Sequence, residues 1–283
     1  MKYTIVIKSM LFVVVSAACW FVWQPHNGQL ILVALNVGQG DATYIRTEQG
    51  NDILVDGGPN RSVLAELGSV MPPFDHQLEY VVATHPDSDH IAGLMEVTDR
   101  YSIQNLITNG HGKDTHVFQQ FATWMNAQRL TPVIVRRGDR INIDSDVWLE
   151  VIGPTDQEHD DTNEDSIVII LHDHAVRIML TGDAPSTEED DILSAYSPEV
   201  LDVDVLKVGH HGSHFSTSNT WLATLTPQIA LISAGLQNRY HHPHPSVLYR
   251  LKKARAEIYR TDMQGRITCH SDGSTVTCAP QRK

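Results

Sequence analysis

The sequence predicts an α/β protein in which two β-sheets pack face to face and helices cover their outer sides. Apolar segments typical of strands lead each half of the chain, and alternating helix and strand patterns follow them. No long flexible linker separates the two halves. At 283 residues the chain is long enough to bury a substantial core, so we expect one folded domain over residues 28–283.

The first half of this domain begins with an apolar run over residues 30–37, which a tight turn at Gly38–Asp41 ends. An amphipathic stretch after residue 90 predicts a helix. Further strands are predicted at 42–47, 53–56, 78–84, 103–108, 132–136 and 147–152, and further helices at 62–70 and 116–129.

The second half follows Gly153-Pro154 and an acidic loop over residues 156–165. Strands are predicted at 166–171, 175–181, 203–208 and 229–233, and helices at 187–195, 217–225 and 246–254. A final hairpin around Gly273-Ser274 places Cys269 opposite Cys278 in a non-hydrogen-bonded pair, where α-carbons are closest. A cross-strand disulfide and two separate thiols are both open alternatives.

Residues 1–27 have the composition of a signal peptide or an N-terminal anchor. Lys2 and Lys8 precede an apolar run and the small residues 16–18. Cleavage, lipidation at Cys19 and retention as an anchor all remain open. This segment and the cysteine pair, which fits an oxidising compartment, predict an exported protein, periplasmic or extracellular, with membrane attachment through its amino terminus as one form.

The net charge of −13 argues against a general affinity for nucleic acid, because phosphate contacts supply most of that affinity. The charge is unevenly distributed, since basic residues outnumber acidic ones after Ser246. A local face that attracts phosphate is therefore compatible with the composition.

The loop at Thr84–Gly93 carries four candidate metal ligands within six residues, which are His85, Asp87, Asp89 and His90. It follows a predicted strand and leads into a predicted helix. Imidazole and carboxylate groups bind zinc, manganese or iron, and crowding them together without a cation is unfavourable. The alternative is a polar turn that caps the helix, with Asp89 as the N-cap.

Three later motifs carry further candidate groups. Asp183 follows the strand at 175–181 and could bridge two ions, or it could cap the next helix. His210 and His211 follow the strand at 203–208, and strand alternation predicts that one of them faces the site. The loop at 238–245 contains His241, His242 and His244.

All these motifs lie just past the carboxyl end of a predicted strand, so they can converge at one edge of the sheets. Other histidines lack this context and are interpreted as surface residues, namely His111, His116, His172 and His174.

The order of the motifs resembles the metallo-beta-lactamase superfamily, and within it the competence-type hydrolase domains of bacterial DNA-uptake proteins. The matching segments lie between residues 30 and 268, at 36–42, 56–58, 84–93, 181–184, 207–213 and 238–245. The resemblance implies an αββα sandwich with a dinuclear metal site at one sheet edge.

The resemblance also implies a role for each matching residue. His85 and Asp87 would bind the first ion, Asp89 and His90 the second, and Asp183 would bridge them. His242 would complete the ligand set of the second ion, and His210 and His211 would contact a phosphate. The candidate catalytic residues are Asp89, His210 and His211.

A second group of residues would support these ligands. Asp41 and Asp56 are expected to orient ligand histidines, and His244 is assigned to the same group. The superfamily has a histidine where this chain has Asp87, although the competence-type branch shares the aspartate. The separate histidine before the bridging aspartate has no match, and Asn163 and Ser166 lie nearest.

Together with the predicted export, the resemblance implies a secreted or anchored phosphodiesterase that uses two divalent ions, zinc or manganese, and a bridging hydroxide that attacks phosphorus. DNA is the first candidate substrate, and no protein partner is predicted. The alternatives are an esterase for phosphorylcholine-type phosphodiesters of the cell envelope, an ester or lactone hydrolase, and a non-catalytic metal-binding module.

Overall fold

The structure of the protein is a computed structural model that describes residues 28–282. The predicted signal peptide or anchor at residues 1–27 therefore lies outside the described residues. Within the described part, no helix is both long and apolar enough to cross a membrane.

The strands within residues 28–282 form two sheets. They are β1 (Leu30–Ala34), β2 (Thr43–Arg46), β3 (Asp52–Val55), β4 (Gln77–Ala83), β5 (Ser102–Thr108), β6 (Val133–Ile134), β7 (Arg140–Asn142), β8 (Val147–Gly153), β9 (Val168–Asp173), β10 (Val176–Leu180), β11 (Val205–Lys207), β12 (Ile229–Ile232), β13 (Glu257–Arg260), β14 (Ile267–Ser271) and β15 (Val276–Pro280).

The helices lie between the strands in sequence. The α-helices of the described residues are α1 (Ser62–Val70), α2 (Ser88–Val97), α3 (His116–Ala127), α4 (Ser186–Ala195), α5 (Pro198–Leu201), α6 (Asn219–Leu225), α7 (Pro245–Lys253) and α8 (Thr261–Gln264).

The first sheet has eight strands in the order β15-β14-β1-β2-β3-β4-β5-β6, and the second has seven in the order β13-β12-β11-β10-β9-β8-β7. The strands β3 to β6 are parallel in the first sheet, and β10 to β13 are parallel in the second. Parallel neighbours end at the same edge, so the loops that follow them gather there.

Three apolar clusters show how the layers pack. One lies between the sheets and contains Ile45 and Ile178, the second joins the first sheet to α1, α2 and α3, and the third joins the second sheet to α4, α6 and α7. Within β2, Ile45 belongs to the inner cluster whereas Tyr44 belongs to the outer one, as strand alternation requires. The predicted αββα sandwich is confirmed.

Several short elements were not predicted from the sequence, namely β7, β13, α5 and α8. Each has only three or four residues, too few for a period to show. The first strand is also shorter than predicted and ends at Ala34. Of the two alternatives for Cys269 and Cys278, the structure shows the disulfide, in register across β14 and β15 with α-carbons 4.0 Å apart.

Candidate metal centre

The loop between β4 and α2 delivers its polar side chains to the edge of the first sheet. The helix begins at Ser88, so Asp89 and His90 lie in its first turn. The helix then packs directly on the turn at Gly57, where a Cβ on Gly93 would lie 1.8 Å from the Gly57 carbonyl oxygen. This contact fixes the helix and its two candidate ligands against the sheet.

Asp183, which follows β10, lies at the centre of the site. Its carboxylate is 3.3 Å from Nε2 of His90, 3.6 Å from Nε2 of both His210 and His211, and 4.0 Å from Nε2 of His85. Burial disfavours the ionised carboxyl, but the surrounding imidazoles, chiefly of His211 and His90, outweigh burial and hold the pKa of Asp183 well below its usual range.

Among the described residues, three groups of side chains bring their ligand atoms within 4.8 Å of one another. They are His85–His90–Asp183, Asp89–His90–His211 and Asp41–Asp183–His211. The groups share members, as expected for two adjacent ions.

Several buried atoms of these groups lack hydrogen-bond partners, notably Nε2 of His85, Nε2 of His90 and Oδ1 of Asp183. Buried polar atoms are normally paired, because an unpaired one costs about 1–3 kcal/mol. Their mixed imidazole and carboxylate chemistry suits zinc, manganese or iron. The residues at this site therefore fit divalent metal ions.

The buried carboxylate of Asp56 fixes the orientation of the His90 ring. Oδ2 of Asp56 lies 2.8 Å from Nδ1 of His90, and Asp56 also accepts hydrogen bonds from the amide and hydroxyl of Thr84. This leaves Nε2 of His90 directed at Asp183. Metal-binding histidines commonly carry such a carboxylate on their other nitrogen.

His211 has a similar arrangement. Oδ1 of Asp41 lies 3.5 Å from its Nδ1, while Nε2 lies 3.2 Å from Asp89. The ammonium of Lys207 donates to the other oxygen of Asp41 at 2.7 Å. Burial disfavours the protonated imidazole of His211, but the negative charges of Asp183 and Asp41 have the larger effect and raise its pKa to about 10.

His210 and His211 both reach Asp183, whereas strand alternation predicted that one would face the site. That prediction is wrong because residues 209–212 form a tight turn with left-handed backbone conformations instead of continuing β11. Both histidines have positive φ, 49° and 54°, a conformation that costs energy for a non-glycine residue.

Asp87 belongs to none of the three groups. Its carboxylate instead accepts hydrogen bonds from the ammonium of Lys113 and from the hydroxyl of Thr162, the latter at 3.0 Å. Asp87 occupies the N-cap position of α2, but its side chain makes no capping hydrogen bond.

His242 also lies outside the three groups, at the rim of the site. Its ring centroid is 5.7 Å from that of His210 and 6.5 Å from that of His211. Burial and then these two imidazoles lower the pKa of His242 to about 4, so its ring is neutral at pH 7. His244 caps α7, where its Nδ1 accepts from the amide of Ser246.

Ser166 and Asn163 lie on the segment before Asp183. The hydroxyl of buried Ser166 accepts from the amide of Asp183 at 3.2 Å, so it supports the backbone at the centre. Oδ1 of Asn163 is buried without a hydrogen-bond partner.

The interpretation of His111 as a surface residue is wrong, because His111 is buried. Its ring lies 3.0 Å from Asp165 and 3.2 Å from the guanidinium of Arg136. His172 is half-buried and stacks on Trp148, whereas His116 and His174 are exposed.

Sequence reasoning missed two lysines that contact candidate site carboxylates, Lys207 and Lys113. A signal existed for Lys207, since it is the one charged residue of the three that form the buried strand β11. A charged side chain in a buried strand requires a partner. Lys113 lies in a loop and gave no such signal.

Comparison with known proteins identifies relatives of the sequence. Residues 35–235 match the family described as the metallo-beta-lactamase superfamily. The chain is 31% identical over 254 residues to ComE operon protein 3 of Bacillus subtilis, covering 82% of this chain and 32% of that protein. It is 30% identical over 247 residues to Recombination protein 2 of Haemophilus influenzae, covering 82% of this chain and 28% of that protein. The chain thus spans about a third of the length of these relatives.

Solved structures share the architecture at low sequence identity. CmlA, a diiron β-hydroxylase from Streptomyces venezuelae, superposes with a TM-score of 0.56 at 14% identity, covering 87% of this chain and 55% of that one. A diphosphatase of the PhnP family superposes with a TM-score of 0.53 at 13% identity, covering 86% of this chain and 98% of that one. Similarity at this level shows a common fold.

Proposed function

Because this chain belongs to the metallo-beta-lactamase superfamily, we propose that it is a phosphodiesterase dependent on two divalent metal ions, zinc or manganese, with DNA as its first candidate substrate. The superfamily resemblance drawn from the sequence motifs is confirmed, and it makes the chain a hydrolase of this superfamily. The name of one relative, Recombination protein 2, supports nucleic acid over an envelope phosphodiester.

The single observation that carries the proposal is the set of buried, unpaired ligand atoms around Asp183. The residues that would hold the ions are His85, Asp89, His90, Asp183 and His211. When bound, such ions act as Lewis acids and lower the pKa of water toward neutrality.

The remaining histidines of the site fit a role toward the phosphate. His210 is partly exposed, with 28% of its side chain accessible, and its Nε2 points at Asp183 from the mouth of the site. His242 is neutral at pH 7, so it can donate or accept a hydrogen bond at a leaving oxygen without adding charge.

Replacing the central carboxylate tests the proposal. For Asp183→Ala we expect loss of bound metal and a fall of about 100-fold or more in hydrolysis of bis-p-nitrophenyl phosphate, with circular dichroism unchanged. Asp190→Asn, an exposed position on α4, is the matched control and should retain both properties.

Undiminished activity of Asp183→Ala would refute the central role of this residue. A wild-type protein that binds neither zinc nor manganese and cleaves no diester would instead favour the non-catalytic alternative. Cleavage of the small diester with plasmid DNA left intact would exclude the nuclease and leave an envelope phosphodiester as the substrate.

Export is part of the proposal, supported by the composition of residues 1–27 and by the disulfide between Cys269 and Cys278. Fractionation of the cells that produce the protein tests it, and recovery only in the cytoplasmic fraction would contradict export.

A further inference from the structure

An apolar pocket of about 130 Å³ adjoins the candidate metal centre. It lies between α2, α3 and the loops after β5 and before β6, and the ring of His85 forms part of its wall. The apolar side chains that line it are Ile91, Phe118, Phe121, Met125, Pro132 and Ile134. Since His85 also belongs to the ligand group around Asp183, the pocket and the centre share a wall.

Two polar side chains of this pocket, Thr108 and Asn109, form hydrogen bonds with backbone groups. The hydroxyl of Thr108 accepts from the amide of Gly110, and the side-chain amide of Asn109 donates to the carbonyl of Asp165 at 2.8 Å. Oδ1 of Asn109 in turn accepts from the amide of His111 at 3.0 Å.

The ring of His111 is held in the same way, between Asp165 on one nitrogen and Arg136 on the other. These contacts hold the ring of His111 in place, and most of the lining is apolar. What the pocket offers to a ligand is therefore shape and apolar surface, including the rings of Phe118 and Phe121.

We propose that this pocket binds an apolar ring carried by an ester group of the substrate, while the phosphate lies at the metal centre. The inference rests on the proposed phosphodiesterase function, to which it adds a preference for diesters that carry an aromatic ring on the ester group that is not cleaved.

Two substrates with the same leaving group test this specificity, phenyl p-nitrophenyl phosphate and methyl p-nitrophenyl phosphate. Ile134 lines the pocket and is 46% exposed, so Ile134→Trp can fill the pocket from its outer wall without disturbing the core. Val133, 50% exposed on the same strand and outside the lining, supplies the matched control Val133→Trp.

We expect Ile134→Trp to lower the ratio of kcat/KM for the phenyl over the methyl diester about tenfold, with the methyl diester hydrolysed as by the wild type. Val133→Trp should leave the ratio unchanged. An unchanged ratio in Ile134→Trp, or an equal fall in both variants, would overturn the proposal.

A binding measurement separates the pocket from the reaction. We expect the metal-loaded wild type to bind phenylphosphonate about tenfold more tightly than methylphosphonate in calorimetry, and Ile134→Trp to lose this preference. Such a preference in a protein that hydrolyses neither diester would support the pocket while refuting the proposed function. Equal affinities in the wild type would overturn the pocket even if the diesters are hydrolysed.

Discussion

The ion pair between Lys207 and Asp41 is buried, with less than a tenth of either side chain exposed. Burial alone would raise the pKa of Asp41, but Lys207 and then His211 reverse this and hold it below the usual range. A buried charge without a partner is strongly destabilising, so each member of this pair depends on the other. The pair in turn holds His211 toward Asp89 and Asp183.

We expect Lys207→Met to lower the free energy of unfolding of the metal-free protein by about 3 kcal/mol, because it leaves Asp41 charged and buried. Urea denaturation measures this loss. The double variant Lys207→Met/Asp41→Asn should recover part of it. Lys253→Met, an exposed position at the end of α7, should change stability by less than about 0.5 kcal/mol, and an equally small effect of Lys207→Met would contradict the argument.

At the scale of elements, the position of α2 decides where two candidate ligands lie. The helix carries Asp89 and His90 in its first turn and touches the backbone of Gly57 through Gly93. No side chain fits between these two backbones, so glycine at position 93 is a steric requirement of the site.

Gly93→Ala should therefore destabilise the protein by about 2 kcal/mol or more and reduce its metal content, because the added methyl group displaces the helix. Gly68→Ala in α1 is the matched control, since the nearest atom to its Cβ would be in the flexible guanidinium of Arg100, at 3.4 Å. We expect that control to be neutral or to gain about 0.5 kcal/mol. Thermal unfolding with metal analysis checks both, and equal behaviour of the two variants would contradict the steric argument.

At the scale of the molecule, the candidate ligands come from both sheets. His85, Asp89 and His90 follow β4 of the first sheet, whereas Asp183 follows β10 and His211 follows β11 of the second. An ion held by both sets joins the two sheets at their common edge.

Binding of such an ion should stabilise the folded state, by about 4 kcal/mol at a free concentration a thousand times the dissociation constant. We expect Zn²⁺ or Mn²⁺ to raise the Tm of EDTA-treated protein and further EDTA to reverse the rise. In Asp183→Asn the rise should be small or lost. A Tm of the wild type that responds to neither ion would argue against the centre.

Much of the fold follows from the sequence because strand and helix periods are local. Apolar runs placed the long strands within a few residues of their observed bounds, and α1 has the predicted bounds. The elements that were missed, such as β7 and β13, are short and partly exposed, and they form because a neighbouring strand offers hydrogen bonds.

The sequence by itself determined the αββα architecture, the superfamily and the motifs that supply the candidate site, because each follows from local patterns and from the order of those patterns along the chain. Only the tertiary structure decided which side chains meet: that His210 and His211 both face Asp183, that Asp87 pairs with Lys113, and that His111 is buried against Asp165. These contacts join residues from separate loops, and the packing of two sheets sets their distances.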